Sequence, residues 1–360
     1  MQAAPSTFDP EPVALLTPEG LPVHDPPFDA ALSPEELTGL YEWMVVTRAV
    51  DEEFVNLQRQ GQLALYPSCR GQEAAQIGCA AALRPDDWLF PQYRELGVFL
   101  VRGVPAAAVG SAWRGTWHGG WGFPEHACAP MSIPIGTHAL HAVGAAMAAT
   151  RLGEDSVTVA FIGDGATSEG DVHEALNFAA VVSAPCVFYI QNNQWAISVP
   201  LSRQTRAPSL AHKAVGYGMP GVRVDGNDVL ACRAVTEQAV RRAREGGGPT
   251  LVETVTYRLA PHTTSDDPTR YRPQEEVDRW ERLDPLPRYR RYLTHLGIWH
   301  QRDEERAQAR AARMCTGLRD AVFDAPDVPP EELFAHVLAE PTRDLLEQSR
   351  RLRAELAREE

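Results

Sequence analysis

Apolar residues recur at helical spacing through Leu37, Leu40, Tyr41, Met44 and Val45, directly after Ser33-Pro34-Glu35-Glu36. That tetrapeptide has the marks of a helix start: a serine cap, a proline at the first helical position and acids in the first turn. The alanine-rich stretches 73–83 and 138–151 predict two further helices, with small side chains that let them approach a sheet closely. In the middle of the chain the period shortens. Residues 156–162 and 185–190 read as short buried strands around a helix over 169–182, and 221–225 and 249–255 as two more around a helix near 228–245. Strand and helix alternating in this order predict right-handed parallel crossovers, hence an α/β fold with a doubly wound, mostly parallel sheet flanked by helices. From 274 onward the pattern is helical, with loop breaks at 283–287 and 324–330 and a highly charged helix after Thr342. Residues 1–32, rich in Pro and Asp and without period, read as an extended arm over the surface or over a partner. The expected organisation is therefore an N-terminal arm (1–32), an α/β domain (33–273) and a helical C-terminal extension (274–360).

Composition narrows the function. The 360 residues are 44% hydrophobic and 23% charged, ordinary values for a folded protein. No apolar run nears the roughly 20 residues that span a bilayer, so no membrane insertion is expected. With 34 basic and 48 acidic residues the net charge is −14. That argues against nucleic acid as a partner, because neutralising phosphates takes clustered Lys and Arg. Lys213 is the only lysine, and Ala214 follows it, so a Walker phosphate loop is excluded. The six cysteines form no Cys-x-x-Cys pair, which speaks against a zinc site and a disulfide framework. The first residues lack a signal or transit pattern, so a reducing cytoplasm is expected.

The chemistry concentrates at two strand ends. Gly163-Asp164-Gly165 follows one apolar strand, Asn192-Asn193 follows the next, and 26 residues separate Gly165 from Asn192, room for one crossover helix. Ligands of open parallel sheets bind beyond the carboxyl ends of the strands. Asp164 offers a hard carboxylate oxygen, Asn193 an amide oxygen, and the glycines permit close backbone approach. Two protein oxygens, with the rest from phosphates and water, describe Mg²⁺ held against a diphosphate. Either motif alone is ordinary turn chemistry; one helix apart at successive strand ends they point to a site. A dinucleotide fingerprint fails, since Ser168 stands where the third glycine of Gly-x-Gly-x-x-Gly belongs.

The stretches 163–170 and 191–198 resemble the thiamine diphosphate motif, and more narrowly that of the alpha subunits of the decarboxylating component of 2-oxoacid dehydrogenase complexes. The resemblance runs from about residue 35 to 340. It includes Phe90-Pro91-Gln92-Tyr93-Arg94, Val224-Asp225-Gly226-Asn227-Asp228 and the histidine loop Tyr257-Arg258-Leu259-Ala260-Pro261-His262-Thr263-Thr264-Ser265-Asp266-Asp267. It implies a thiamine diphosphate-binding fold in which Asp164, Asn193 and the main-chain carbonyl of Trp195 hold Mg²⁺. Tyr93, Arg94 and His262 would contact the diphosphate, Gly165, Ala166 and Arg258 would line the same pocket, and the backbone near Ile133 and Ile135 would meet the aminopyrimidine ring. Some relatives carry arginine where Gln191 stands, so a phosphate contact there is weakened or lost. Ser132, Pro134 and Thr137 resemble a potassium-binding loop of some relatives, with His138 in place of their glutamine.

On the residues themselves, Arg94 offers planar, permanently charged donors suited to phosphate. His262 sits in a polar loop, and residues 263–267 read as mobile, ordering on cofactor binding. In animal relatives a serine of this loop is phosphorylated, and Thr263 stands there. His118, in Trp117-His118-Gly119-Gly120-Trp121, reads equally as a wall of the substrate pocket with a catalytic part or as a packed aromatic turn, and Tyr66 as a further wall. The family activity is oxidative decarboxylation of a 2-oxoacid with reductive acylation of a lipoyl group on a dihydrolipoyl acyltransferase. Its activating glutamate belongs to a beta subunit, and no such segment stands in this sequence. A heterotetramer of two alpha and two beta subunits is thus implied, with this chain inactive alone. The aromatic stretch and histidine loop look more like branched-chain 2-oxoacid (3-methyl-2-oxobutanoate) enzymes, with pyruvate as the alternative substrate. A cofactor-free scaffold and a nicotinamide dehydrogenase are the other readings; the joint presence of Asp164, Asn193, Arg94 and His262 opposes the first and the missing glycine the second.

Overall fold

The computed structural model describes residues 11–28, 31–115, 121–326 and 328–359. Its main sheet has five parallel strands, β1 (Trp88–Phe90), β2 (Thr158–Gly163), β3 (Cys186–Asn192), β6 (Gly221–Asp225) and β7 (Thr250–Val255), in the order β1-β2-β3-β7-β6. Two two-residue strands, β4 (Trp195–Ala196) and β5 (Val199–Pro200), form an antiparallel hairpin after β3. The four predicted strands are present, and the three-residue edge strand β1 is an addition, too short to show a period.

Alternate residues of each strand feed two separate cores, as a pleated sheet covered on both faces requires. Val159, Phe161, Val187, Tyr189 and Val252 point to one side, against helices Pro34–Arg59, Glu73–Ala81 and Val229–Arg242. Ala160, Ile162, Cys186, Phe188 and Leu251 point to the other, against helices Thr137–Leu152 and Gly170–Val181. The helix start read at Ser33 is a full capping box: Ser33 Oγ accepts from Glu36 N at 3.2 Å, and Ser33 N donates to the Glu36 carboxylate at 2.8 Å. The small residues of the Glu73–Ala81 helix serve helix-to-helix contact. A Cβ at Gly78 would stand 2.7 Å from that of Cys232.

Within residues 11–28 the arm lies on the body. Val13 N donates to Arg223 O and Asp225 N to Val13 O, both at 2.9 Å, so the chain covers the open edge of β6. The helical C-terminal part comprises Gln274–Glu281, Pro285–His295, Gln301–Phe323, Glu332–Ala335 and Arg343–Glu359. An extra break after Leu296, where Gly297 takes a left-handed φ of 72°, was not legible in the pattern. Among the described residues no helix is long and apolar enough to cross a membrane. All six cysteines are free and five are buried.

Candidate active site

Four neighbouring strands deliver their carboxyl ends to one place. The register sets Gly163 beside Gln191 and Asn192 beside Val255, so the residues that follow β2, β3 and β7 emerge side by side, with those after β1 next to them. Every described candidate for cofactor or Mg²⁺ binding lines a single cavity of about 410 Å³ there: Tyr93 and Arg94 after β1, Asp164, Gly165 and Ala166 after β2, Asn193 and Trp195 after β3, Arg258 and His262 after β7, with Ile133 and Ile135 at its wall. His118 lies outside the described residues. A larger hollow of about 630 Å³ lies by Tyr41 and Arg290, away from the strand ends, and Arg290 there is paired with Glu304.

The electrostatics of the cavity are one-sided. Arg94 and Arg258 are both buried, and neither forms an ion pair with a carboxylate among the described residues. Arg94 donates to Ser68 O at 2.6 Å and to His262 O at 2.9 Å. Arg258 donates to Trp195 O at 3.1 Å and Ile197 O at 2.7 Å, while its Nε has no hydrogen-bond partner. Burial and the neighbouring Arg94 lower its pKa to about 10, so it stays cationic at neutral pH. Nδ1 of His262 lies 3.2 Å from a nitrogen of each guanidinium. Arginine only donates, so Nδ1 must accept, and the ring proton sits on Nε2. Burial, then Arg94 and Arg258, push the His262 pKa down to about 3, leaving the ring neutral. Tyr93 meets it edge-on, centroids 6.3 Å apart.

Opposite the cations stand oxygen donors. Asp164 is 1% exposed, and burial raises its pKa. It opens the turn Gly165–Ser168, whose Thr167 Oγ1 donates back to Asp164 O at 2.7 Å. A Cβ at Gly165 would fall 2.6 Å from that of Ala196, so this glycine also lets the turn pack against β4. Asn193 Oδ1 accepts from Trp195 N at 3.2 Å across a turn whose Gln194 and Ile197 have left-handed φ values of 74° and 54°. Asn192, the other half of the Asn-Asn pair, is structural: its amide donates to Glu253 at 2.7 Å. Among the described residues no three His, Cys, Asp or Glu side chains could hold a metal together. A cation beside Asp164 would therefore draw on amide, main-chain and ligand oxygens, the donor set that suits Mg²⁺.

Several readings change. Tyr66 is no pocket wall: it is 2% exposed, stacks on Phe54 and donates to Asp51 at 2.8 Å. The 263–267 loop is held to the body by hydrogen bonds. Thr264 N donates to Tyr66 O at 2.9 Å, and the Asp266 carboxylate accepts from His262 N at 2.9 Å and from Tyr271 Oη. His138 is buried with Nε2 directed at Phe161 O. Gln191 lines the cavity, its amide donating to the buried Glu95 at 2.7 Å and its oxygen accepting from Gln76 at 3.1 Å. Sequence reasoning missed Gln72, Leu65, Trp113 and Glu169 as wall residues. Trp113 stands just before the aromatic stretch in which His118 was the candidate.

A doubly wound parallel sheet with a cationic, oxygen-ringed cleft at its strand ends has the build suited to a phosphorylated ligand. The chain belongs to the Dehydrogenase E1 component family, which it matches over residues 41–332. It is 69% identical over 352 residues to the 3-methyl-2-oxobutanoate dehydrogenase subunit alpha of Mycobacterium tuberculosis (strain ATCC 25618 / H37Rv), covering 98% of this chain and 96% of that one. The pyruvate dehydrogenase E1 component subunit alpha of Staphylococcus aureus (strain N315) is 44% identical over 283 residues, 78% and 76% of the two chains. Its namesake from Acholeplasma laidlawii is 41% identical over 319 residues, 88% and 92%.

Proposed function

We propose that this chain is the alpha subunit of a cytoplasmic 3-methyl-2-oxobutanoate dehydrogenase. With a beta subunit it would carry out oxidative decarboxylation of branched-chain 2-oxoacids and reductive acylation of the lipoyl group of a dihydrolipoyl acyltransferase. One observation carries the assignment of the site: two buried guanidiniums flank a neutral histidine with no carboxylate paired to them. Such an excess of buried positive charge is costly unless an anion completes it, and a diphosphate supplies that charge in the right form. The branched-chain substrate rests on the 69% identity to the mycobacterial relative.

Thiamine diphosphate, when bound, supplies a thiazolium that adds to the keto carbon and accepts the electron pair left by departing carbon dioxide. Arg94, Arg258 and Tyr93 would bind its phosphate oxygens, and His262 would donate through Nε2–H without adding charge. Asp164, the amide oxygen of Asn193 and the carbonyl of Trp195 would hold Mg²⁺; that carbonyl already accepts from Arg258 and has a second lone pair free. Ile133, Ile135, Ile197 and Val199 are exposed beside this mouth, at 59, 38, 57 and 42%. An apolar rim of this kind suits a beta subunit covering the aminopyrimidine end. In the potassium loop, Ser132 Oγ donates to Pro134 O at 3.0 Å, and His138 is committed to Phe161 O, which weakens the case for a cation there.

The test is reconstitution with the beta subunit encoded for the same enzyme and comparison of turnover on 3-methyl-2-oxobutanoate and pyruvate. A preference of about 10–200-fold for the branched substrate is expected, the range that a methylene or two in an apolar pocket gives. Equal or better use of pyruvate would move the reading to a pyruvate dehydrogenase. Failure to bind thiamine diphosphate with Mg²⁺ would overturn it altogether.

A further inference from the structure

We propose that Gln204 is a positioning residue of the cation site, fixing the carboxylate of Asp164 from a segment that contributes no ligand; the inference rests on the reading above. Gln204 closes the short helix Leu201–Gln204, which follows the β4–β5 hairpin. Its Nε2 donates to Asp164 Oδ2 at 2.6 Å and to Val199 O at 3.0 Å. Both neighbours are acceptors, so the amide has only one tenable orientation, nitrogen inward. Its Oε1 is buried and has no hydrogen-bond partner among the described residues. An amide that forgoes its own acceptor contact while committing both donors is held there for what it donates to.

The same segment grips the turn a second time. Lys213, in the turn Ala211–Tyr217, donates from Nζ to Thr167 O and to Thr167 Oγ1, both at 2.8 Å. Thr167 Oγ1 in turn donates to Asp164 O at 2.7 Å. The only lysine of the chain therefore braces the backbone of Asp164, and Gln204 braces its side chain. With Oδ2 tethered, Oδ1 is left for a cation in a fixed direction. Residues that orient a metal ligand in this way typically change metal affinity about 10–100-fold when removed.

The experiment uses the full chain assembled with its beta subunit and follows thiamine diphosphate binding by calorimetry as Mg²⁺ is titrated. If the wild-type protein shows no Mg²⁺-dependent binding, the proposed function fails and this inference with it. If it does, Gln204→Met, similar in length but without a donor, is expected to weaken Mg²⁺ about 10–100-fold. Cofactor affinity should return at saturating Mg²⁺, with full stoichiometry. Lys213→Met is expected to show the same pattern with a loss of less than about tenfold, because it acts on the backbone through Thr167. Gln204→Asn, which keeps the amide but falls one methylene short of Asp164, provides a second test should Gln204→Met not fold, and the same weakening is expected. Wild-type Mg²⁺ affinity in either Gln204 variant, or a fall in stoichiometry alone, would overturn the proposal.

Discussion

Two of the buried clusters of charge in this molecule are built on opposite principles. In one, Arg288 (2% exposed) pairs with Asp225 at 2.7 Å and lies 3.9 Å from Asp228. Asp228 accepts from the main chain of Leu15 and Leu16 at 2.7 and 2.6 Å, and from Leu230 and Ala231 at the start of the Val229–Arg242 helix. Each charge there meets its opposite or a full set of dipoles, and the product is a clasp that holds the N-terminal arm on the sheet. In the other, the guanidiniums of Arg94 and Arg258 meet carbonyl oxygens, the Tyr271 hydroxyl and the His262 ring, and no carboxylate among the described residues. The first cluster holds its counter-charge and serves the fold; among the described residues the second has no carboxylate paired to it, as the proposed diphosphate site would require. Burial alone does not separate the two; the presence of counter-charge does.

The largest expected effect falls on the complete cluster. Asp228→Ala leaves four main-chain donors without their acceptor and removes one of the two carboxylates beside Arg288, and should cost about 3–5 kcal/mol of stability in urea denaturation. Any affinity for thiamine diphosphate in the folded remainder should be unchanged. Arg258→Met should do the reverse. Cofactor binding should weaken by about 1.5–3 kcal/mol, the worth of charge-assisted hydrogen bonds. The unloaded protein should lose less stability than Asp228→Ala, since relief of the repulsion from Arg94 offsets the hydrogen bonds lost to Trp195 O and Ile197 O; calorimetry and thermal melting measure the two sides. A marked loss of stability would show that the site cluster is structural after all.

Acid sharpens the contrast further. His262 takes up a proton at about 3 in the folded chain against an ordinary value of 6.5. Between those values the unfolded chain holds more protons, so this group's share of stability falls as the pH falls through that window. His262→Asn removes the difference, and its melting temperature should decline less steeply than wild type over the same range. An unchanged slope would mean that the two guanidiniums do not act on the imidazole as the geometry requires. The smallest effect is expected from Tyr66→Phe, which loses one hydrogen bond to Asp51 and about 1 kcal/mol. Asp51 keeps Ser68 and Cys69 N as partners, and cofactor affinity should not move.

Much of this was legible in the sequence, for reasons that can be named. The two glycine-flanked and asparagine strand ends stand one crossover helix apart, and parallel pairing with Gly163 beside Gln191 turns that spacing into adjacency. Tyr93, Arg94 and His262 were found through resemblance; their residue types alone do not say that their two loops converge. β1 escaped because Trp88–Phe90 is too short for a period to appear. The arm showed none because it is held through its main chain, although Val13, Leu15 and Leu16 are buried. Tyr66 misled because a tyrosine beside a cavity loop looks the same in sequence whether its ring faces in or out. Gln204 carried no signal at all: its meaning lies in two acceptors that only the fold brings to it.

The bend after β3 has one more consequence. Gln194 and Ile197 both adopt the left-handed conformation that side-chain-bearing residues avoid at a cost of about 1–2 kcal/mol each. Arg258 clamps the carbonyls of the two residues Trp195 and Ile197 in that shape. The expense of the awkward curl is thus met from within the polypeptide, by a guanidinium that also lines the cleft.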